Sequence, residues 1–170
     1  MCAGQLMFEG MPGLSATEVK WPSEGHGAPP KARRRLPSPV RAVLAFHRAF
    51  GLPVRERPTG HVPVEERDLR VRLIQEEADE FTAAAADGDV VAIADALADI
   101  VYVTYGTALH YGIDLDAALA EIHRSNMSKL GPGGRAVVRS DGKVLKGPSY
   151  EAPDLARALG VSDQDTGLTE

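Results

Sequence analysis

The sequence predicts an all-α protein, a four-to-five-helix bundle with a short C-terminal hairpin and a disordered N-terminal tail. Two observations predict the helices. From Ser38 to Lys129 apolar residues recur with a helical period, and the breaks between these stretches carry residues that cap or stop helices. A third predicts the rest: residues 1–36 are rich in Gly, Pro and Ser without sustained periodicity.

The length of 170 residues allows one ordinary domain, and 44% hydrophobic with 25% charged residues suits a chain that buries a core. No apolar run approaches the roughly 18 residues that cross a bilayer, and the first residues lack a signal-peptide pattern. No membrane association is expected, and a cytoplasmic location is. The one cysteine, Cys2, allows neither an internal disulfide nor a cysteine metal site. A net charge of −5 argues against nucleic acid as a partner. The basic cluster of Lys31, Arg33, Arg34 and Arg35 reads as a solvated part of the tail.

The elements follow in order. Ser38 and Pro39 open a first helix, as N-cap and first helical residue, and Gly51 ends it. A connector with Pro53, Pro58 and Pro63 carries Arg55, Arg57 and His61. Two long helices, Val64 to Asp87 and Asp89 to Tyr111, are separated by a turn at Gly88. Asp114 caps a fourth helix that runs to about Lys129 and stops at Gly131 and Pro132. Val137 and Val138, Asp141 and Gly142, then Val144 and Leu145 read as a hairpin. A last short helix covers about Asp154 to Leu159. The predicted organisation is a tail over 1–36, a domain over 37–150 and an extension over 151–170.

The charges matter most for where they fall on the helices. Leu69, Leu73, Ile74, Phe81 and Ala84 define an apolar face of the second helix, and Glu77 and Glu80 fall inside it. Glu76 lies at its edge, one turn from Glu80. The third helix is apolar over most of its circumference through Val90, Ile93, Leu97, Ile100, Val101, Val103 and Leu109, as expected of a helix buried on nearly all sides. Its polar groups form one stripe, with Asp95 and Asp99 a turn apart and Tyr102, Gly106 and His110 continuing it. The fourth helix has an apolar face of Leu115, Ala118, Leu119, Ile122 and Leu130, with Asn126 at its middle and His123 and Lys129 on its flanks.

Inward carboxylates without counter-charges cost several kcal/mol each. Hard divalent cations between the helices solve this most simply. Oxygen-only donors favour magnesium or manganese, and magnesium commonly bridges to substrate phosphates. A polyphosphate substrate is therefore expected, attacked by a water that a neighbouring glutamate deprotonates. Asn126 and Lys129 can serve a metal or a phosphate.

These residues carry a resemblance. Glu76-Glu77-x-x-Glu80, an acidic pair on the next helix and an Asn-x-x-Lys ending the last resemble the all-α nucleoside triphosphate pyrophosphohydrolases of the MazG-like superfamily. The stretches YVTYG (102–106), GID (112–114), EIHRSNMSK (121–129) and DGKVLK (141–146) are similar to the branch of dimeric dUTPase-like MazG proteins. The resemblance covers Ser38 to about Tyr150. It implies that Glu77, Glu80 and Asp99 are metal ligands, that Glu76 orients or deprotonates the water, and that Asn126 and Lys129 lie near metals and phosphates. Tyr102 and His123 complete the candidates for substrate contact. Where the superfamily has a second-helix glutamate this chain has Ala96, and Asp95 is the candidate replacement. The implied reaction gives a nucleoside monophosphate and pyrophosphate, with dUTP or a non-standard nucleotide as substrate and a homodimer as the assembly. A non-catalytic relative that binds a nucleotide or a protein is the alternative. A di-iron carboxylate bundle needs Glu-x-x-His spacing, which Glu121 and His123 do not provide.

Overall fold

In the computed structural model, residues 38–140 and 142–162 are described. The tail over 1–36, with Cys2 and the basic cluster, lies outside the described residues, as do Asp141 of the expected hairpin and residues 163–170. The chain forms α1 (Pro39–Phe50), α2 (Val64–Asp87), α3 (Val90–Tyr111), α4 (Leu115–Met127), a 3-10 turn (Pro132–Gly134) and α5 (Leu155–Leu159).

Local chemistry sets these boundaries. The Asp89 carboxylate accepts from the Val91 and Ala92 amides at 2.9 and 3.2 Å, and that of Asp114 accepts from Ala117 at 3.0 Å. Gly88 ends α2 at φ 70°, a left-handed conformation that a side chain would resist. Ser38 precedes α1 as expected, but its side chain makes no capping bond.

The long helices α2 and α3 form an antiparallel pair, and α1 packs on α3. The connector folds back on the end of α3, where the Arg55 and Thr59 amides donate to the Leu109 and Tyr111 carbonyls at 2.9 and 3.0 Å. Gly112 makes this possible, since a Cβ there would lie 2.1 Å from the Arg57 carbonyl oxygen. Tyr105 ties α3 to α4 by donating to Asp116 at 2.7 Å.

Three expectations are corrected. First, α3 is not buried on nearly all sides: Val90 and Val91 are 74% and 75% exposed, and Leu97 and Val101 are exposed too. Within the described residues α1 and α2 cover most of it, and the connector and α4 touch only its C-terminal half. This helix is also long and apolar enough to cross a membrane by length and composition, which no segment was expected to be. Asp95, Asp99 and its polar partners in α2 and the connector make it a packing helix here.

Second, α4 turns a neighbouring face inward, about a quarter-turn from the expected one. Leu119, Ile122 and Asn126 are exposed, while Glu121 and Ser125 are buried. The reason is the partner. The strap leading to α5 offers backbone groups, which need polar contacts. Ser125 donates to the Glu151 carbonyl at 2.8 Å, Glu151 donates to the Ser128 hydroxyl at 2.9 Å, and Asp154 donates to Glu121 at 2.7 Å. Arg124 donates to Glu121 twice. Arg124, and next the Asp154 amide, hold the Glu121 carboxyl down at about 2.

Third, the hairpin shrinks to one antiparallel bridge, Val138 with Val144, flanked by backbone bonds from Leu145 to Val137 and from Arg139 to Lys143. The described residues form no extended strands.

Candidate active site

The antiparallel packing of α2 and α3 brings Glu76, Glu77 and Glu80 together with Asp95 and Asp99. Glu77 is half-buried in the contact, and the other four are exposed around it. Burial first, and then the charges of Glu80, Asp99, Glu76 and Asp95, raise the Glu77 pKa above its ordinary value. All four like charges therefore lie near enough to act on it. Among the described residues none of the five has an ion-pair partner.

Oxygen-only donors, mutual repulsion and the absence of a described counter-cation fit a hard divalent cation. The fit is one of composition and charge: among the described residues no three His, Cys, Asp or Glu groups converge tightly enough to hold an ion as they stand. Unneutralised carboxylates on two helices repel one another, and the open spacing agrees with that.

Ala96 is 3% exposed, buried between the helices, whereas its neighbour Asp95 points out to solvent. Asp95 is also the last of the four charges acting on Glu77. It reaches the cluster from the edge, with a side chain shorter than a glutamate's.

The α4 candidates form a separate group. The Lys129 ammonium donates to the Asn126 carbonyl oxygen at 2.7 Å, and His123 is exposed. Their helix packs mainly on α5 within the chain, so it is the α2–α3 carboxylates alone that the fold gathers. Tyr102 stands with its ring edge on Phe46 of α1, centroids 5.7 Å apart, and keeps one side open.

A second polar group went unread in the sequence. His47 of α1, Glu66 and Arg70 of α2 and His110 of α3 meet with Arg55 of the connector two turns from the carboxylates. The His47 Nδ1 lies 3.1 Å from the Pro53 carbonyl oxygen, and the His110 Nδ1 3.3 Å from Glu66. The histidine rings are 5.4 Å apart, edge to face. Arg55 donates to Glu66 at 3.0 Å and to the His110 carbonyl. Gly106 gave a usable signal, being a glycine on the same stripe as Asp99 in an otherwise side-chain-rich helix.

Residues 43–126 match the phosphoribosyl-ATP pyrophosphohydrolase family. The match spans all five carboxylates and ends at Asn126. Among solved structures 24 chains match. One, a provisionally assigned NTP pyrophosphohydrolase from Exiguobacterium sp. 255-15, is 24% identical, with 74% of this chain and 96% of that one covered and a TM-score of 0.40. No curated protein matches the chain.

Proposed function

As a member of the MazG-like all-α NTP pyrophosphohydrolase superfamily, this chain has a function to be read from its carboxylates, and we propose that it hydrolyses nucleoside triphosphates to monophosphate and pyrophosphate in a metal-dependent reaction. The observation that supports this reading is the nearness of Glu77 to Glu80, Asp95 and Asp99, whose charges add to burial, the larger cause, in raising the Glu77 pKa.

Glu77, Glu80, Asp95 and Asp99 are the residues that would hold the cation, drawing closer together than they stand without it. When bound, magnesium or manganese neutralises charge on the transferred phosphoryl group. Glu76, exposed at the rim one turn from Glu80, accepts the proton of the attacking water. The new P–O bond forms as the α–β phosphoanhydride bond breaks, and pyrophosphate leaves. Lys129, already aligned with Asn126, supplies a point charge to the phosphates. Tyr102 and His123, both exposed, are available to the nucleoside.

The exposed valines of α3 and the exposed apolar face of α4 are the surfaces that a second copy covers in a homodimer. The resemblance to the dUTPase-like branch supports dUTP or another non-standard nucleotide as the substrate.

The buried Ala96 favours a second reading, a relative that binds nucleotide without turning it over. Pyrophosphate release from a panel of ribo- and deoxynucleoside triphosphates, dUTP included, separates the two. Release that needs magnesium is expected. Metal-dependent binding without release on any substrate selects the second reading, and release that ignores chelator overturns the metal assignment.

A further inference from the structure

We propose that Arg70 is a positioning residue for the carboxylate site: seated on Gly106, it keys the register of α2 against α3 that sets Glu77 beside Asp99. The proposal takes the carboxylate cluster above as the site.

Arg70 precedes Glu77 by seven residues on α2, and Gly106 follows Asp99 by seven on α3. Seven residues are two turns, so each pair of side chains shares a helix face. In an antiparallel pair, the Arg70–Gly106 contact and the Glu77–Asp99 contact are two layers of one register. Fixing the first fixes the second.

The first layer is built as a key in a notch. Among the described residues Gly106 is the one glycine inside an α-helix, where glycine is a poorer choice than alanine. A Cβ at that position would lie 3.0 Å from the His47 Nε2 and 3.3 Å from an Arg70 guanidinium nitrogen. The missing side chain is what lets both groups in. A slip of α2 by one turn would set Arg70 opposite Val103 or His110, which carry side chains where Gly106 has none.

Arg70 is a poor choice for stability alone. It is 7% exposed, and its Nε has no hydrogen-bond partner. Glu66, whose charge favours it, is also shared with Arg55 and His110. Exchange of such a group for an apolar one of similar size often leaves stability unchanged or raises it. What a buried charge with one fitting place supplies is specificity of register.

The test uses the full chain with Arg70→Met, Arg70→Lys and Gly106→Ala. Spin labels on cysteines at exposed Arg72 of α2 and Ala94 of α3, in a Cys2→Ser background, report the register. A slip of one turn moves them about 5.4 Å along the axis. Loss of the free Mn²⁺ spin signal on binding reports the site. Arg70→Met is expected to melt no lower than the parent chain, to shift or broaden the label distance and to weaken Mn²⁺ binding about 10- to 100-fold. Arg70→Lys is expected to restore most of both. A merely structural role would lower the melting temperature and leave the label distance of the folded fraction alone. If Arg70→Met does not fold, Gly106→Ala carries the test, since its methyl group crowds the notch against His47 and Arg70. An unchanged label distance in the folded variant overturns the proposal whatever Mn²⁺ does. If the parent chain binds no Mn²⁺, the metal assignment fails and the label distance alone decides the register.

Discussion

Toward the Gly88 turn, the α2–α3 pair carries four exposed carboxylates near a half-buried fifth, open to solvent and without a described counter-charge. Two turns away the same pair carries Glu66, Arg70 and His110, covered by His47 of α1 and Arg55 of the connector. The single polar stripe of α3 runs through both, from Asp95 and Asp99 to Gly106 and His110. One end is repulsive and accessible, which suits a group that must accept a cation. The other is covered and tied together through Arg55, Glu66 and His110, though the Arg70 Nε and His110 Nε2 have no hydrogen-bond partner, and it suits a group that holds the pair in place. The two ends therefore respond oppositely to pH and to substitution, and each response can be measured.

The largest effect is expected at the open end. Glu80→Gln and Asp99→Asn each keep the shape of the side chain and remove one charge. Partners outside a metal's direct ligands are commonly worth about 10- to 100-fold, so losing a direct ligand is expected to cost about 100-fold or more in kcat/KM for pyrophosphate release. Asp95→Asn is expected to cost less than Asp99→Asn, because Asp95 reaches the cluster from its edge. Full activity in both Glu80→Gln and Asp99→Asn would mean that the open end is not a metal site. Equal losses at Asp95 and Asp99 would mean that the shorter reach is fully made up.

The second effect lies at the covered end. Burial first and the Arg70 charge second push the His110 pKa below its ordinary 6.5, against the opposing pull of Glu66. His47 faces it from α1, Arg55 from the connector, and Glu66 and Arg70 from α2. The folded chain thus binds a proton at His110 less readily than the unfolded chain does. Stability is fully present above about pH 6.5 and falls as the pH drops from there toward the lower folded value. A separation of one pH unit between the two titrations corresponds to about 1.4 kcal/mol. Glu66, held low first by Arg55, loses its contribution only below its ordinary 4.5, so the two windows are distinct. Urea unfolding between pH 7 and 5 is expected to show a falling midpoint in the parent chain and a shallower fall in His110→Asn. Identical slopes in the two chains would sink the assignment to His110.

The two ends also differ in how far the sequence revealed them. The elements were readable because their signals are local: Asp89, Asp114 and Asp154 cap the helices they precede, and Gly51, Gly88 and Gly112 end those they follow. The carboxylates drew notice because helical spacing places Glu77 and Glu80 among apolar residues of α2, and of the two only Glu77 is half-buried against α3. The covered end was not, because a lone His47 or Arg70 on a helix gives no sign of the distant residues that enclose it. The pairing of α4 with a polar strap was equally hidden, since Leu119 and Ile122 form the more apolar face yet point outward. Ala96 could be seen as a departure from the superfamily, while its burial against α2 needed the packed pair.

The smallest effect returns to the open end in the absence of metal. The Glu77 pKa is raised in the folded chain, by burial and then by Glu80 and its neighbours. At pH 7 the ionised Glu77 therefore costs the folded state something that the unfolded state does not bear. That cost fades as the pH falls through the raised folded value, the reverse of the His110 trend. Glu77→Gln removes it and is expected to raise the melting temperature of the metal-free protein by about 1–3 °C at pH 7. Magnesium is expected to reverse the order, since a cation that binds the folded state adds stability in proportion to its affinity, and the parent chain keeps the fuller set of ligands. A Glu77→Gln chain that melts below the parent without metal would show that Glu77 is held by a favourable contact. The contrast between the two ends of the helix pair would then rest on burial alone.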